Sequence, residues 1–381
     1  MNLEFTPELI PRGVYRVGQK NFYHKIQALQ YADATGQHPQ WDFHDDWFSK
    51  FNWKIEPEQS LDFWYTMRCK QIRDKYDYLI LHYSGGSDSH NMLSFFYKNK
   101  IHIDEIITAF PVEFFEKHTI ASTSTDANDS HNEWFHVVKP DLAWIATHMP
   151  RTKITVYDYT DDMVNFNVDQ DWIYYAGEHI NPNITNRIQR YTKIANNNVY
   201  DRYRVGHVYG IDKPLVFKRD DGWYTAFLDS VISVANSVKP IVNNHTHINV
   251  EYFYWSPDLP QMLIKQAHMV KKTYQIKPHL EHLAIWKKKT NEEREMERDL
   301  SRESVYPHWR KEIFQNRKAT GAFFKEFDNW FFEWATDSAK QRWWEGFHFL
   351  TTSINPKWID YDAFENMTNL KGFYSKMHKI Q

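Results

Sequence analysis

A short apolar run, Tyr78-Leu79-Ile80-Leu81-His82-Tyr83, passes directly into Ser84-Gly85-Gly86-Ser87-Asp88-Ser89, and helical spacing of apolar residues resumes over His90–Tyr97. A run of that length, closed by a glycine turn, predicts a buried strand, and strand, glycine turn and helix together open a βαβ unit. Parallel strands cannot be joined by a tight hairpin, so such a unit commits the chain to alternating strands and crossover helices. Further runs fit that alternation. Glu105–Phe110 ends at Pro111, Lys153–Tyr157 follows a predicted helix over Asn132–His148, and Tyr203–Tyr209 stops at Gly210-Ile211-Asp212-Lys213-Pro214. The expected fold class is therefore α/β with a parallel sheet, preceded by a helix over Ser60–Lys75.

Leu215–Lys218 and Trp223–Phe227 flank Asp220-Asp221-Gly222, which has hairpin turn chemistry. From Pro257 onward the pattern is helical, over Gln261–Tyr274, Lys287–Glu303, Phe323–Ala335 and Arg342–Phe349. The first 60 residues are rich in aromatic, Asp and His side chains, with helical spacing around His24–Ala32 and no clear strand. Three regions follow: an aromatic preface over 1–76, an α/β core over 77–256 and a mostly helical C-terminal region over 257–381. No repeat or long Pro/Gly/Ser linker separates them, so they are expected to pack as one body.

The Ser84–Ser89 segment carries the chemistry. Two glycines permit positive φ and let backbone N–H groups approach an anion without obstruction by Cβ. A helix beginning near Asp88 adds unpaired N-terminal donors and the positive end of its dipole, and Ser84, Ser87 and Ser89 add hydroxyls. The result is a pyrophosphate cradle. Asp88 would repel phosphate oxygens directly, and its expected use is to hold Mg²⁺ between them. Neither G-x-x-x-x-G-K-[ST] nor G-x-G-x-x-G occurs in the chain.

Composition removes other chemistries. The 381 residues contain one cysteine, Cys69, which excludes an internal disulfide, a Cys-rich zinc site, an iron–sulfur cluster and a C-x-x-C redox pair. The net charge of −3 is ordinary, no run of 18 apolar residues occurs, and the N-terminus lacks a basic region followed by an apolar one. The expectation is a cytoplasmic protein without a membrane span.

The S-G-G-x-D-S loop resembles the PP-loop of the ATP pyrophosphatase superfamily, strongly over about residues 77–97 and loosely over 98–212; the overall likeness is to the synthetase domain of asparagine synthetase. The resemblance implies a Rossmann-like, adenine nucleotide alpha hydrolase-like sheet, cleavage of ATP between its α and β phosphates, and adenylation of a substrate oxygen. It implies that Ser84, Gly85, Gly86, Ser87, Asp88 and Ser89 bind the departing pyrophosphate and that Thr108, Ala109 and Phe110 line the adenosine pocket. Asp212 and Lys213 are the candidates for a second metal ligand and a charge-neutralising cation, Asp88 and Lys213 being the catalytic pair. The implied ligands are ATP, Mg²⁺ and a small-molecule acceptor. Thiolating and reductase branches need reactive cysteines this chain lacks, and residue 2 is Asn2 where an amidotransferase would carry its cysteine nucleophile.

Three other features invite function. His245-Thr246-His247 with Glu251 suggests a metal site, against which stands a polar strand edge beside the strand-like Asn249–Trp255. His131 and Glu133 read as the start of a helix capped by Ser130. Residues 265–325 hold 15 basic and 8 acidic side chains with Trp286, Trp309 and Phe314 interleaved, a pattern that fits nucleic acid or, with pairs such as Lys288–Glu292 and Lys289–Glu293, a solvated helix. The expected function is an AMP-forming ligase or amide-forming enzyme. Modification of tRNA or another nucleic acid, and a nucleotide-binding regulatory module without turnover, are the alternatives.

Overall fold

The computed structural model describes residues 13–117, 134–166, 173, 199, 202–210, 213–229, 249–286, 289–307, 331–360 and 369–381. The chain opens with strands β1 (Val14–Val17), β2 (Lys20–Phe22) and β3 (Gln40–Asp42), paired antiparallel in the order β2-β1-β3, with helix α1 (Lys25–Thr35) between the last two. This corrects the strandless preface. Strands of three or four residues are too short to show a period of two, and only long-range pairing makes them. Helix α1 falls where the spacing places it and ends at Gly36, with φ of 67°.

After a short helix α2 (Asp45–Phe48) comes α3 (Leu61–Lys75), whose N-cap Ser60 accepts a hydrogen bond from the Phe63 N–H. The core follows as β4 (Tyr78–His82), α4 (Ser87–Lys98), β5 (Glu105–Phe110), α5 (Val112–Lys117), α6 (Lys139–His148), β6 (Lys153–Asp158), α7 (Thr160–Asn165) and β7 (Val205–Tyr209). The hairpin β8 (Leu215–Arg219) and β9 (Gly222–Ala226) precedes β10 (Asn249–Tyr252). Residues 249–252 are thus a fifth parallel strand, paired with β7.

The sheet runs β10-β7-β4-β5-β6, all parallel. Numbered by appearance, that order is 3-2-1-4-5 read from β6, consistent with a Rossmann-like fold, and it reverses direction between β4 and β7. Side chains alternate across it. Leu79, Leu81, Ile106 and Val208 enter the main core with Ile72 of α3 and Met92 and Phe96 of α4. Ile80, Ile107 and Val205 form a smaller apolar cluster on the other face.

The C-terminal region contains α8 (Pro260–Ile276), α9 (Asn291–Val305) and α10 (Asp337–Ser353), then β11 (Ile359–Asp360), β12 (Asn369–Leu370) and β13 (His378–Lys379). Its described residues are mostly helical up to Trp358, after which β11 pairs with β12 and β13 joins β9 as a third antiparallel strand. One hydrophobic cluster runs from Tyr15 to Ile380. Phe43 of the preface packs 4.9 Å from Phe227 and 5.6 Å from Trp255, ring centre to ring centre, so the preface completes the core. No helix among the described residues is long and apolar enough to cross a membrane.

Candidate functional site

Open parallel sheets bind ligands beyond the carboxyl ends of their strands, at the point where strand order reverses. Here that point lies between β4 and β7, and β4 ends directly in Ser84–Ser89. Helix α4 begins at Ser87 with Gly86 as its N-cap, one residue earlier than the sequence suggests. Gly85 has φ of +75°, and a Cβ there would lie 2.6 Å from Val138 Cγ2, so both backbone conformation and the approach of the segment before α6 demand glycine. At Gly86 a Cβ would meet only Ser84 Oγ, at 3.4 Å, which leaves the cradle open. The Ser89 hydroxyl donates to the Gly86 carbonyl at 3.1 Å and lies 3.3 Å from Ser84 Oγ, so it braces the turn.

The opposite wall is built from distant segments. At Gly210, just after β7, a Cβ would lie 2.9 Å from the Asp88 carbonyl carbon and 3.0 Å from the Ser89 nitrogen. Backbone cannot swing aside, so only glycine lets the end of β7 touch the first turn of α4. That contact delivers Lys213, whose Nζ stands 2.5 Å from Asp88 Oδ1. The Tyr306 hydroxyl donates to the same oxygen, and Lys213 Nζ is 3.3 Å from it. The Lys213 side chain is 9% exposed and that of Asp88 30%, so the pair is only partly open to solvent. Tyr254 donates to the Asp88 carbonyl at 2.9 Å and accepts from Asn91 Nδ2 at 2.9 Å. Burial raises the Tyr254 phenol well above its usual range, which keeps it a donor.

Asp88 and Lys213, proposed from separate loops, are thus brought together. Thr108, Ala109 and Phe110 lie at the carboxyl end of β5. Thr108 is 1% exposed and its hydroxyl has no hydrogen-bond partner among the described residues, an orphan that costs about 1–3 kcal/mol until something satisfies it. Phe110 packs 5.3 Å from Trp134. Asp212, Ser130, His131, Glu133, His245, His247, Trp309 and Phe314 lie outside the described residues.

Tyr306 and Tyr254 escaped sequence reasoning. Tyr306 follows α9, which starts with a capping box between Thr290 and Glu293, and it lies 218 residues from Asp88. No local pattern could have linked them. A second omission is beneath the loop, where His82 Nε2 and His207 Nδ1 are 2.9 Å apart and the Tyr209 ring stacks on His82 at 4.0 Å.

Other expectations resolve differently. Glu251 is no metal ligand: it bonds Arg68 Nη2, Lys75 Nζ and the Tyr76 hydroxyl, each at 2.6 Å. Burial would raise its carboxyl, but Arg68 and Lys75 outweigh burial and hold it down to about 2. In the basic segment, Lys289 pairs with Glu297 rather than Glu293, because Glu293 is used in the cap of α9. Lys272 and Lys277 pair with Glu56 and Glu303. Cys69 is fully buried, and burial pushes its thiol far above the usual range, so it is not a nucleophile.

No cluster of three or more His, Cys, Asp or Glu side chains among the described residues could by itself hold a metal. Asp88 offers one carboxylate, its Oδ1 bonded to Lys213 and Tyr306, and Mg²⁺ commonly takes one or two carboxylates with phosphate oxygens and water. The open cradle at Gly86 and the orphaned Thr108 hydroxyl fit a nucleotide above the sheet. No protein-family model, curated protein or solved structure matches this chain.

Proposed function

We propose that the chain is an ATP-dependent ligase or amide-forming enzyme of the PP-loop ATP pyrophosphatase superfamily, cytoplasmic, with an adenine nucleotide alpha hydrolase-like core. The observation that carries this reading is the Ser84–Ser89 loop at the strand-order reversal, with Lys213 against its Asp88.

The phosphates of ATP would lie over the N–H groups of the loop and the first turn of α4, where the helix dipole favours negative charge. Thr108 would offer its hydroxyl to the nucleoside end. An acceptor carboxylate or amide oxygen then attacks the α-phosphorus, the bond to the bridging α–β oxygen breaks, and pyrophosphate leaves into the loop. Charge grows on that leaving group, and the Lys213 ammonium and the α4 N-terminus are placed to offset it. Asp88 would hold Mg²⁺, which would supply further neutralisation of the phosphates. The adenylated acceptor carries a good leaving group, AMP, for a later nucleophile.

The test is product analysis with ATP, Mg²⁺ and pooled amino acids, carboxylic acids and tRNA. AMP and pyrophosphate should form with one fraction only, and Asp88→Asn should lower turnover at least about 100-fold in protein that still unfolds cooperatively. ADP and phosphate, or unchanged turnover in Asp88→Asn, would overturn the assignment. Products with the tRNA fraction would identify the nucleic-acid alternative, and tight ATP binding without products the regulatory one.

A further inference from the structure

A cavity of about 450 Å³ lies between α4 and α6, on the flank of α4 opposite Asp88. Asp88 and His90 are two residues apart on α4, about 200° around the helix, so they face opposite sides. Asp88 meets Lys213 and Tyr306, whereas His90 faces α6.

The floor of this cavity is polar. The Tyr83 hydroxyl donates to Asp141 Oδ2 at 2.5 Å and contacts His90 Nδ1 at 3.1 Å. With the phenol proton committed to Asp141, the second contact places a proton on His90 Nδ1. The walls are rings. Tyr97 meets Trp144 edge to face at 4.9 Å, Trp144 stacks on His148 at 4.4 Å, and Tyr97 and Trp144 are each 41% exposed. Lys98 also lines the cavity, but its charge is offset by Asp62, 2.9 Å away. The cavity therefore presents a carboxylate at its base and aromatic surface at its side.

We propose that this cavity binds a small aromatic primary amine, with the ring against Trp144 and Tyr97 and the ammonium at Asp141. The volume lies in the range of small-molecule sites, and aromatic walls with a few placed polar groups, here the half-buried Asp141, are how such sites fix a ligand's orientation. Ring contact and cation–π attraction add to the ion pair. This site is independent of the proposed reaction. It borders the loop through Tyr83, which precedes Ser84, and through α4, but the proposed reaction uses none of the cavity's polar groups.

Calorimetric titration with tryptamine, indole and indole-3-propionate tests the idea. Tryptamine should bind saturably and at least tenfold more tightly than either analogue. Asp141→Asn and Trp144→Ala should each weaken it at least tenfold, while Lys213→Met leaves it unchanged. Trp144 is substantially exposed, so Trp144→Ala carries the test if Asp141→Asn does not fold. Absence of saturable tryptamine binding, equal binding of indole-3-propionate, or unchanged binding in Trp144→Ala would overturn the proposal. Tighter tryptamine binding in Lys213→Met, which frees the Asp88 carboxylate, would mean that the amine occupies the phosphate site instead and would also overturn the proposal.

Discussion

Position 210 has no side chain, and the whole candidate site turns on that. A single methyl group there would stand 2.9 Å from the Asp88 carbonyl carbon and push β7 away from α4. Gly210→Ala should therefore cost about 1–3 kcal/mol in denaturant unfolding and weaken ATP binding by separating Lys213 from Asp88. A variant as stable as the parent would show that the two segments do not touch as described. At this scale the sequence was legible where chemistry is local: Asp88 in a glycine turn and Lys213 after a strand both announce themselves. Tyr306 does not, because its role exists only once α9 has docked against the core. Asp212, proposed on equal grounds with Lys213, falls outside the described residues.

Among the elements, the parallel strands could be read because each is a compact apolar run ended by turn residues. Strand β10 lies within the strand-like Asn249–Trp255, but the burial of the Glu251 carboxylate is not legible there until its partners are seen. Arg68 and Lys75 from α3 supply them, so the ion network fastens α3 to the edge of the sheet. The folded pKa of Glu251, about 2, lies below its ordinary value of 4.5, so its contribution is present above pH 4.5 and is lost as pH falls through about 2. Glu251→Gln leaves Arg68 buried without its counterion and should cost about 3 kcal/mol at pH 7. The difference between variant and parent, followed by unfolding at a series of pH values, should shrink from pH 4.5 downward. A difference that stays constant to pH 2 would contradict the ion-pair account.

Over the whole molecule, the three regions expected from the sequence share one core. Phe43, Phe227 and Trp255 come from the preface, the hairpin and the segment after β10, and they meet in a single aromatic cluster. The return of the chain end is the feature least visible beforehand. His378 and Lys379 pair with Thr225 and Tyr224, and His378 stacks on Trp53 at 4.4 Å, contacts joining residues hundreds of positions apart. No local pattern encodes such closure, whereas α/β alternation is encoded locally and was legible. The same architecture brings β4, β7, the segment after β10 and the end of α9 to one point above the sheet. Whether that point binds pyrophosphate is tested most directly by calorimetric titration with Mg²⁺-pyrophosphate and Mg²⁺-ATP in parent and Lys213→Met proteins. Both ligands should bind competitively at one site per chain, and Lys213→Met should weaken each at least about tenfold. No binding of pyrophosphate, or binding indifferent to Lys213, would contradict the account.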